Sequence, residues 1–306
     1  MANRKVLVCD TVDVAALALP ETFEVDYLPK ITPAELLEKV ADYDVVVVRS
    51  RTKVDSTVIE RASKLKLVAR PGTGLDNIDL LAANAKGVTV VNSPEALVEA
   101  VAEHVLGLML SLARKIPAAD ASTLSGKWEK ERFVGVELKG KTIGIAGLGR
   151  IGRRVGEVAK VLGMSVLGYD IIEISKDVLS SIGCTMVDLD TLFSSSDFVT
   201  LHVPLTPETR HLVDSRRLSL MRKGAFLINT SRGEVIDEPA LAQALSSGAI
   251  AGAALDVFEK EPPSPELLSA PNLIATPHIG GQTAEAQRMA ISVTGNKIVE
   301  FFQRRG

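Results

Sequence analysis

Residues 143–160 read IGIAGLGRIGRRVGEVAK. A short apolar, isoleucine-containing start runs into glycines spaced Gly147-x-Gly149-x-x-Gly152, and helical periodicity follows. The spacing alone is common. Here the glycines close a strand, open a helix and precede a second apolar run, MSVLGYD, that ends on Asp170. The start of such a helix offers free N–H groups and the positive end of a dipole. Glycines allow the tight turn and the close approach of a pyrophosphate. Asp170, 23 residues past Gly147, stands where an acid takes a ribose hydroxyl. The stretch reads as a dinucleotide-binding strand–turn–helix–strand unit, and the rest of the chain extends its rhythm.

The residues after Asp170 are Ile171 and Ile172, with no Arg or Lys directly following. A 2′-phosphate there meets a carboxylate with no compensating cation, so the reading favours NAD over NADP.

Downstream the rhythm continues through CTMVDL, DFVTLHV, GAFLINTS, IAGAALDVF and LIATPHIGG, and a helix, QTAEAQRMAISVTGNKIVEFFQRR, closes the chain. Upstream, KVLVCD, FEVDYL, DVVVVRS, LKLVARPG and VTVVNS alternate with the helix-like pieces TPAELLEKVA, DSTVIERASK and DLLAANAKG. Thr32 and Glu35 form a capping-box pattern. Continuous apolar strands between helices indicate parallel sheets covered on both faces. A long helix over about 97–116 and a polar stretch with Trp128 separate the two blocks. The expectation is an α/β chain of two Rossmann-like domains, each with a parallel sheet, separated by a cleft. No solenoid-length repeat or low-complexity segment interrupts it.

The 306 residues are 46% hydrophobic and 24% charged, with a formal net charge of −3. Such a balance provides no overall field for nucleic acid or an anionic membrane. Two cysteines, Cys9 and Cys184, without CxxC spacing argue against a disulfide scaffold or a metal site. MANRKVLVCD enters a strand at once, leaving no room for a signal segment. The long helix carries Glu99, Glu103 and His104, and so reads as buried in protein rather than in lipid. A cytoplasmic location is expected.

Three apolar runs stop at an arginine: DVVVVRSR at Arg49, LKLVARPG at Arg70 and GAFLINTSRG at Arg232. Ligands of open parallel sheets bind at the carboxyl ends of strands, where these arginines fall. Of four histidines, His104 lies on the apolar helix and reads as a core or interface residue. His211 falls in a polar turn, and His202 ends a strand beside the cofactor region. His278, in ATPHIGG, ends a strand and is followed by glycines, which makes it the acid–base candidate. Asp256, Glu259 and Glu261 lie just upstream, and spacing does not choose among them as its orienting carboxylate. Arg232 has the planar fork that grips a carboxylate.

Together, RPGTGLDNID, VAEHVLGLMLSLARKIP, GKTIGIAGLGRIG, DFVTLHVPLTPETRHLV, LINTSRGEVIDEPAL, AGAALDVFEKEPP and TPHIGG resemble the D-isomer-specific 2-hydroxyacid dehydrogenases over nearly the whole chain. The resemblance implies Arg232, Glu261 and His278 as the catalytic set. It implies Asp256 beside the nicotinamide carboxamide, Arg150 and Ile151 at the pyrophosphate, and His202, Val203 and Pro204 as a wall of the cofactor site. Thr230, Ser231 and Gly280 complete that site. The loop Gly72, Thr73, Gly74 is implied to hold the substrate carboxylate, with Thr73 also near the cofactor.

Within the family the chain is similar to the branch that oxidises D-3-phosphoglycerate to 3-phosphohydroxypyruvate, the first step of phosphorylated serine biosynthesis, and Arg49 and Arg70 correspond to its phosphate-binding arginines. Two features depart from that branch. Leu97 and Val98 replace a small polar loop, and no regulatory ACT domain follows the closing helix, so serine feedback through one is not expected. Glyoxylate or hydroxypyruvate reductases and the NAD(H)-sensing C-terminal-binding-protein corepressors are the alternative readings. The resemblance also implies a substrate domain of residues 1–97 plus 284–306, an NAD domain of residues 98–283, and a homodimer through the NAD domain.

Overall fold

The structure, a computed structural model, describes residues 4–304. Residues 1–3 and 305–306, assigned above to the first domain, lie outside the described residues. The chain divides into two compact units, the first running to Leu97 and resuming at Gly281, the second Val98–Gly280. In this division Gly281 belongs to the packing of the first unit. A Cβ built on it meets Leu97 Cδ1 at 3.2 Å, and its carbonyl accepts from Gln287 Nε2 at 2.7 Å.

In the first unit, β1 (Arg4–Val8), β2 (Phe23–Tyr27), β3 (Val45–Val47), β4 (Leu67–Arg70) and β5 (Thr89–Asn92) form one sheet in the order β2-β1-β3-β4-β5. Every pairing is parallel. The valine run around β3 shows why both faces must be apolar. Val46 and Val48 point into a core with Leu36 and Ile59, contributed by helices α1 (Pro33–Lys39) and α2 (Ser56–Arg61). Val45 and Val47 point into the opposite core. Each such side chain, fully buried, contributes about 1.5–3 kcal/mol. The capping box of α1 is formed: the Glu35 amide donates to Thr32 Oγ1, and the Thr32 amide donates to Glu35 Oε2 at 2.8 Å. Asp55 and Asp79 cap α2 and α3 (Leu80–Ala85).

The second unit opens on α4 (Val98–Arg114), which buries eight side chains, among them Val105, Met109 and Leu112. This helix is long and apolar enough to cross a membrane by length and composition alone, but its apolar face is committed to the core beneath the sheet. The following residues, read from sequence only as a polar stretch, begin with a helix, α5 (Ile116–Leu124). Lys115, at φ +53°, separates it from α4, and Pro117 sits in its first turn, where a missing N–H costs nothing. None of its side chains is buried, which is why periodicity did not reveal it.

There follow β6 (Thr142–Ala146), α6 (Arg150–Val161), β7 (Ser165–Tyr169), α7 (Lys176–Ile182), β8 (Cys184–Met186), α8 (Leu189–Ser195) and β9 (Phe198–Leu201). Next come α9 (Ser215–Leu220), β10 (Phe226–Asn229), α10 (Glu238–Ser246), β11 (Gly252–Leu255), α11 (Pro265–Leu268) and β12 (Leu273–Ala275). The seven strands run parallel in the order β12-β11-β10-β9-β6-β7-β8, with a core on each face. The last helix, α12 (Ala284–Gln303), N-capped by Thr283, returns to the first unit and covers its open sheet face with Ile291, Ile298 and Phe302.

Candidate active site

The strand order of the second unit sets the singled-out residues in a row. His278 follows β12, Asp256 and Glu261 follow β11, and Thr230, Ser231 and Arg232 follow β10. His202, Val203 and Pro204 follow β9, the glycine turn follows β6, and Asp170 follows β7. These six strands are consecutive neighbours, so the row spans about 24 Å at the usual ~4.8 Å spacing.

At one end, His278 Nδ1 lies 2.9 Å from Glu261 Oε1 and 3.1 Å from Oε2. Of the three acids that spacing left open, Glu261 is therefore the one on the ring. Its carboxylate sets Nδ1 as the proton-bearing nitrogen and leaves Nε2 as the acceptor. Glu259 instead pairs with His211, at 2.8 Å. Asp256, buried to 1% exposure, turns both oxygens to the segment carrying His278. Oδ1 accepts from Thr276 Oγ1 (2.6 Å) and the Ile279 amide (2.8 Å), and Oδ2 accepts from the Gly280 amide (2.8 Å). His104 Nε2 stands 3.4 Å from Oδ1 and 3.2 Å from Thr276 Oγ1. Burial pushes the Asp256 carboxyl up, but the hydrogen bonds from His104, Thr276 and the two amides outweigh it, and the net shift is downward.

Arg232 leaves β10 through a turn shaped by Asn229. That side chain is fully buried, donates from Nδ2 to the Arg232 carbonyl (2.8 Å) and accepts from the Ser231 amide (3.0 Å) and hydroxyl (2.8 Å). The Arg232 guanidinium donates through Nη1 to the Ser231 carbonyl at 2.6 Å.

The glycine turn is closely packed at two of its three glycines. Gly147 has φ +95°, and a Cβ on it meets the His202 carbonyl oxygen at 2.6 Å; a Cβ on Gly152 runs into the Gly147 carbonyl. Gly149 is the N-cap of α6, no side chain caps the helix start, and the space where its Cβ would stand is open. The amides of the first turn are thus available to a phosphate, with Arg150 and Ile151 on that turn. Asp170 accepts from the Leu148 amide (2.7 Å) and the Ile172 amide (3.0 Å), which fixes its carboxylate beside the turn. Further along the row, Thr230 Oγ1 is buried with no hydrogen-bond partner among the described residues. His202 bonds Thr200 Oγ1 at 3.0 Å, and burial pushes its imidazole down to about 4, so it presents a neutral ring at neutral pH. Observed backbone and side chains fit NAD.

In the first unit the corresponding strand ends carry the two other arginines. Arg70 closes β4, and Arg49 lies two residues past β3, its neighbour in the sheet. The Arg49 backbone is held on both sides, its amide by Asp10 Oδ2 and its carbonyl by Asn77 Nδ2, while its guanidinium, partly exposed, has no ion pair or hydrogen bond among the described residues. Arg70 donates to the Gly74 carbonyl. Asn92 and Ser93 hold the loop between them: Asn92 Nδ2 donates to the Thr73 carbonyl (2.6 Å), and the Gly72 amide donates to Ser93 Oγ (2.9 Å). The Thr73 hydroxyl is buried and unpartnered among the described residues. Leu97, expected near substrate, packs on Gly281.

Sequence reasoning read His104 as a core or interface residue and passed over Thr276, Asn229 and Asp10. Asn229 and Asp10 each sit at the end of a buried strand, which is the signal that could have found them. His104 gave none, since its partners lie over 150 residues away. No group of three or more metal-ligating side chains occurs among the described residues.

Residues 106–280 match the family described as D-isomer specific 2-hydroxyacid dehydrogenase, NAD binding domain. A D-3-phosphoglycerate dehydrogenase of Methanocaldococcus jannaschii is 50% identical over 297 residues, covering 96% of this chain and 56% of that protein. A hydroxypyruvate reductase of Thermotoga maritima is 46% identical over 297 residues, covering 94% and 95%. Among solved structures, a D-lactate dehydrogenase from Aquifex aeolicus complexed with NAD and lactic acid superposes with a TM-score of 0.86 at 29% identity, over 97% of this chain and 95% of that one. The chain spans about half the length of the D-3-phosphoglycerate dehydrogenases it matches.

Proposed function

The chain belongs to the D-isomer specific 2-hydroxyacid dehydrogenases, and from that premise we propose that it oxidises D-3-phosphoglycerate to 3-phosphohydroxypyruvate. The observation that carries the phosphorylated substrate is the Arg49 guanidinium, left without a counter-charge beside Arg70 at neighbouring strand ends. Two forks there suit a group with about two negative charges.

The Gly147–Gly152 turn, Asp170 and the row from His202 to Thr230 would hold NAD, which when bound would supply the hydride acceptor. His278 takes the substrate hydroxyl proton at Nε2, because Glu261 occupies Nδ1. The Glu261 carboxylate then stabilises the imidazolium. Arg232 binds the substrate carboxylate and polarises the oxygen at the reacting carbon. Asp256 holds the 276–280 turn, so that the ring arrives pre-oriented.

Steady-state kinetics with NAD test the substrate: D-3-phosphoglycerate should be strongly preferred to D-glycerate. Arg49→Ala and Arg70→Ala should lose that preference while retaining turnover of the unphosphorylated acid. Equal efficiency of the wild type on both acids overturns the phosphate assignment. A hydroxypyruvate or glyoxylate reductase is the second reading, favoured by the likeness to the Thermotoga maritima reductase over nearly all of both chains. We further place the protein in the cytoplasm as a homodimer. Its support is the exposed apolar surface of α5 and the segment after it, where Leu124, Trp128 and Val134 are 80, 84 and 74% exposed.

A further inference from the structure

Glu261 sits in an exposed stretch with no regular structure between β11 and α11. A carboxylate in such a loop orients a ring only if its backbone is held elsewhere, since a site loose by an ångström loses most of its advantage. The hold lies two residues upstream, at Glu259, and comes from the start of a helix and from another loop. Glu259 N–H donates to Glu238 Oε1 at 2.8 Å, and Glu238 opens α10. Glu259 Oε1 meets His211 Nε2 at 2.8 Å across 48 residues of sequence. His211 comes from the loop after β9 at φ +51°, and its amide donates to the Glu234 carbonyl at 2.8 Å. Gly233, next to Arg232, closes the ring of contacts: a Cβ there runs into the Phe258 carbonyl, so only glycine lets these backbones touch.

We propose that His211, Glu259 and Glu238 are positioning residues that fix the Phe258–Glu259 backbone and thereby hold Glu261 against His278. This brace rests on the role given to His278 and Glu261 above. The surroundings explain the choice of histidine. Glu238 is crowded by the Glu234 and Glu259 carboxylates: burial pushes its carboxyl up, the Glu259 amide draws it down, the two like charges push it up again, and the net shift is upward. His211 Nε2 meets this cluster through Glu259 Oε1 at 2.8 Å.

The test is a set of variants at Glu259 and His211. Glu259→Ala should lower kcat about 10- to 100-fold with KM for NAD unchanged, the scale of an ångström's misplacement. Glu259→Gln, which keeps an acceptor oxygen for His211, should retain most of kcat. His211→Asn tolerates the left-handed backbone but is too short to reach Glu259, and should match Glu259→Ala. In a Glu261→Ala background, Glu259→Ala should cost nothing further, because the brace acts through Glu261. Separately, ¹⁵N-histidine NMR of the substrate-free protein should show the His278 Nδ1–H signal sharp in wild type and broadened by exchange in Glu259→Ala. Equal losses with and without Glu261, or no change in either kcat or the Nδ1–H signal, overturn the brace. Should Glu259→Ala melt before assay, the comparison of Glu259→Gln with His211→Asn decides in its place. Because the NMR arm needs no substrate, an incorrect substrate assignment shows as absent wild-type turnover while the brace is still judged.

Discussion

His278 stands at φ +55°, a conformation that residues with a Cβ adopt rarely. It persists because Asp256 takes the next two amides in the chain. Asp256→Ala leaves those amides, Thr276 and His104 without their acceptor, and should cost about 1–3 kcal/mol in chemical denaturation. The pH dependence has a definite sign. The folded carboxyl lies below its ordinary range, so its contribution is present above the unfolded value and fades as pH falls through the folded one. The stability gap between wild type and Asp256→Asn should therefore narrow in acid, as denaturation midpoints measured across that range will show. His278→Asn keeps a residue suited to the left-handed turn but removes the proton acceptor. Its kcat should fall about 10²- to 10⁴-fold with NAD binding, read by fluorescence titration, retained.

Among elements, the glycine turn and the strands carry most of the argument. Gly147→Ala places a methyl against the His202 carbonyl at a positive φ, and should weaken NAD binding without changing the rest of the sheet, an effect calorimetry can measure. Thr32→Ala removes the α1 capping box and should lower stability by about 1 kcal/mol. These features were legible because they are local: a glycine spacing, a Thr–Glu pair three apart, a run of valines that must be buried on both sides. The Asp256–His104–Thr276 cluster and the His211–Glu259 pair were not, because each joins residues that only the sheet order brings together. Helix α5 escaped for the opposite reason. It buries nothing, and so prints no period on the sequence.

At the scale of the molecule, the apolar surface around Trp128 calls for a partner, and a second copy is the one proposed. Sedimentation should give twice the 32.6 kDa chain mass, and Trp128→Lys should shift the protein toward monomer. The split of the first unit has a separate consequence, for synthesis. Its strands emerge from the ribosome first, but the core on the face lined by Val6, Val8, Val45 and Val47 is completed by Ile291, Ile298 and Phe302. Those residues arrive after the whole second unit of 183 residues, Val98 to Gly280, has been made. At ordinary elongation rates that is a delay of about 10–40 s. The unit whose strands are translated first is completed last, and its uncovered sheet is the surface that a nascent-chain chaperone meets.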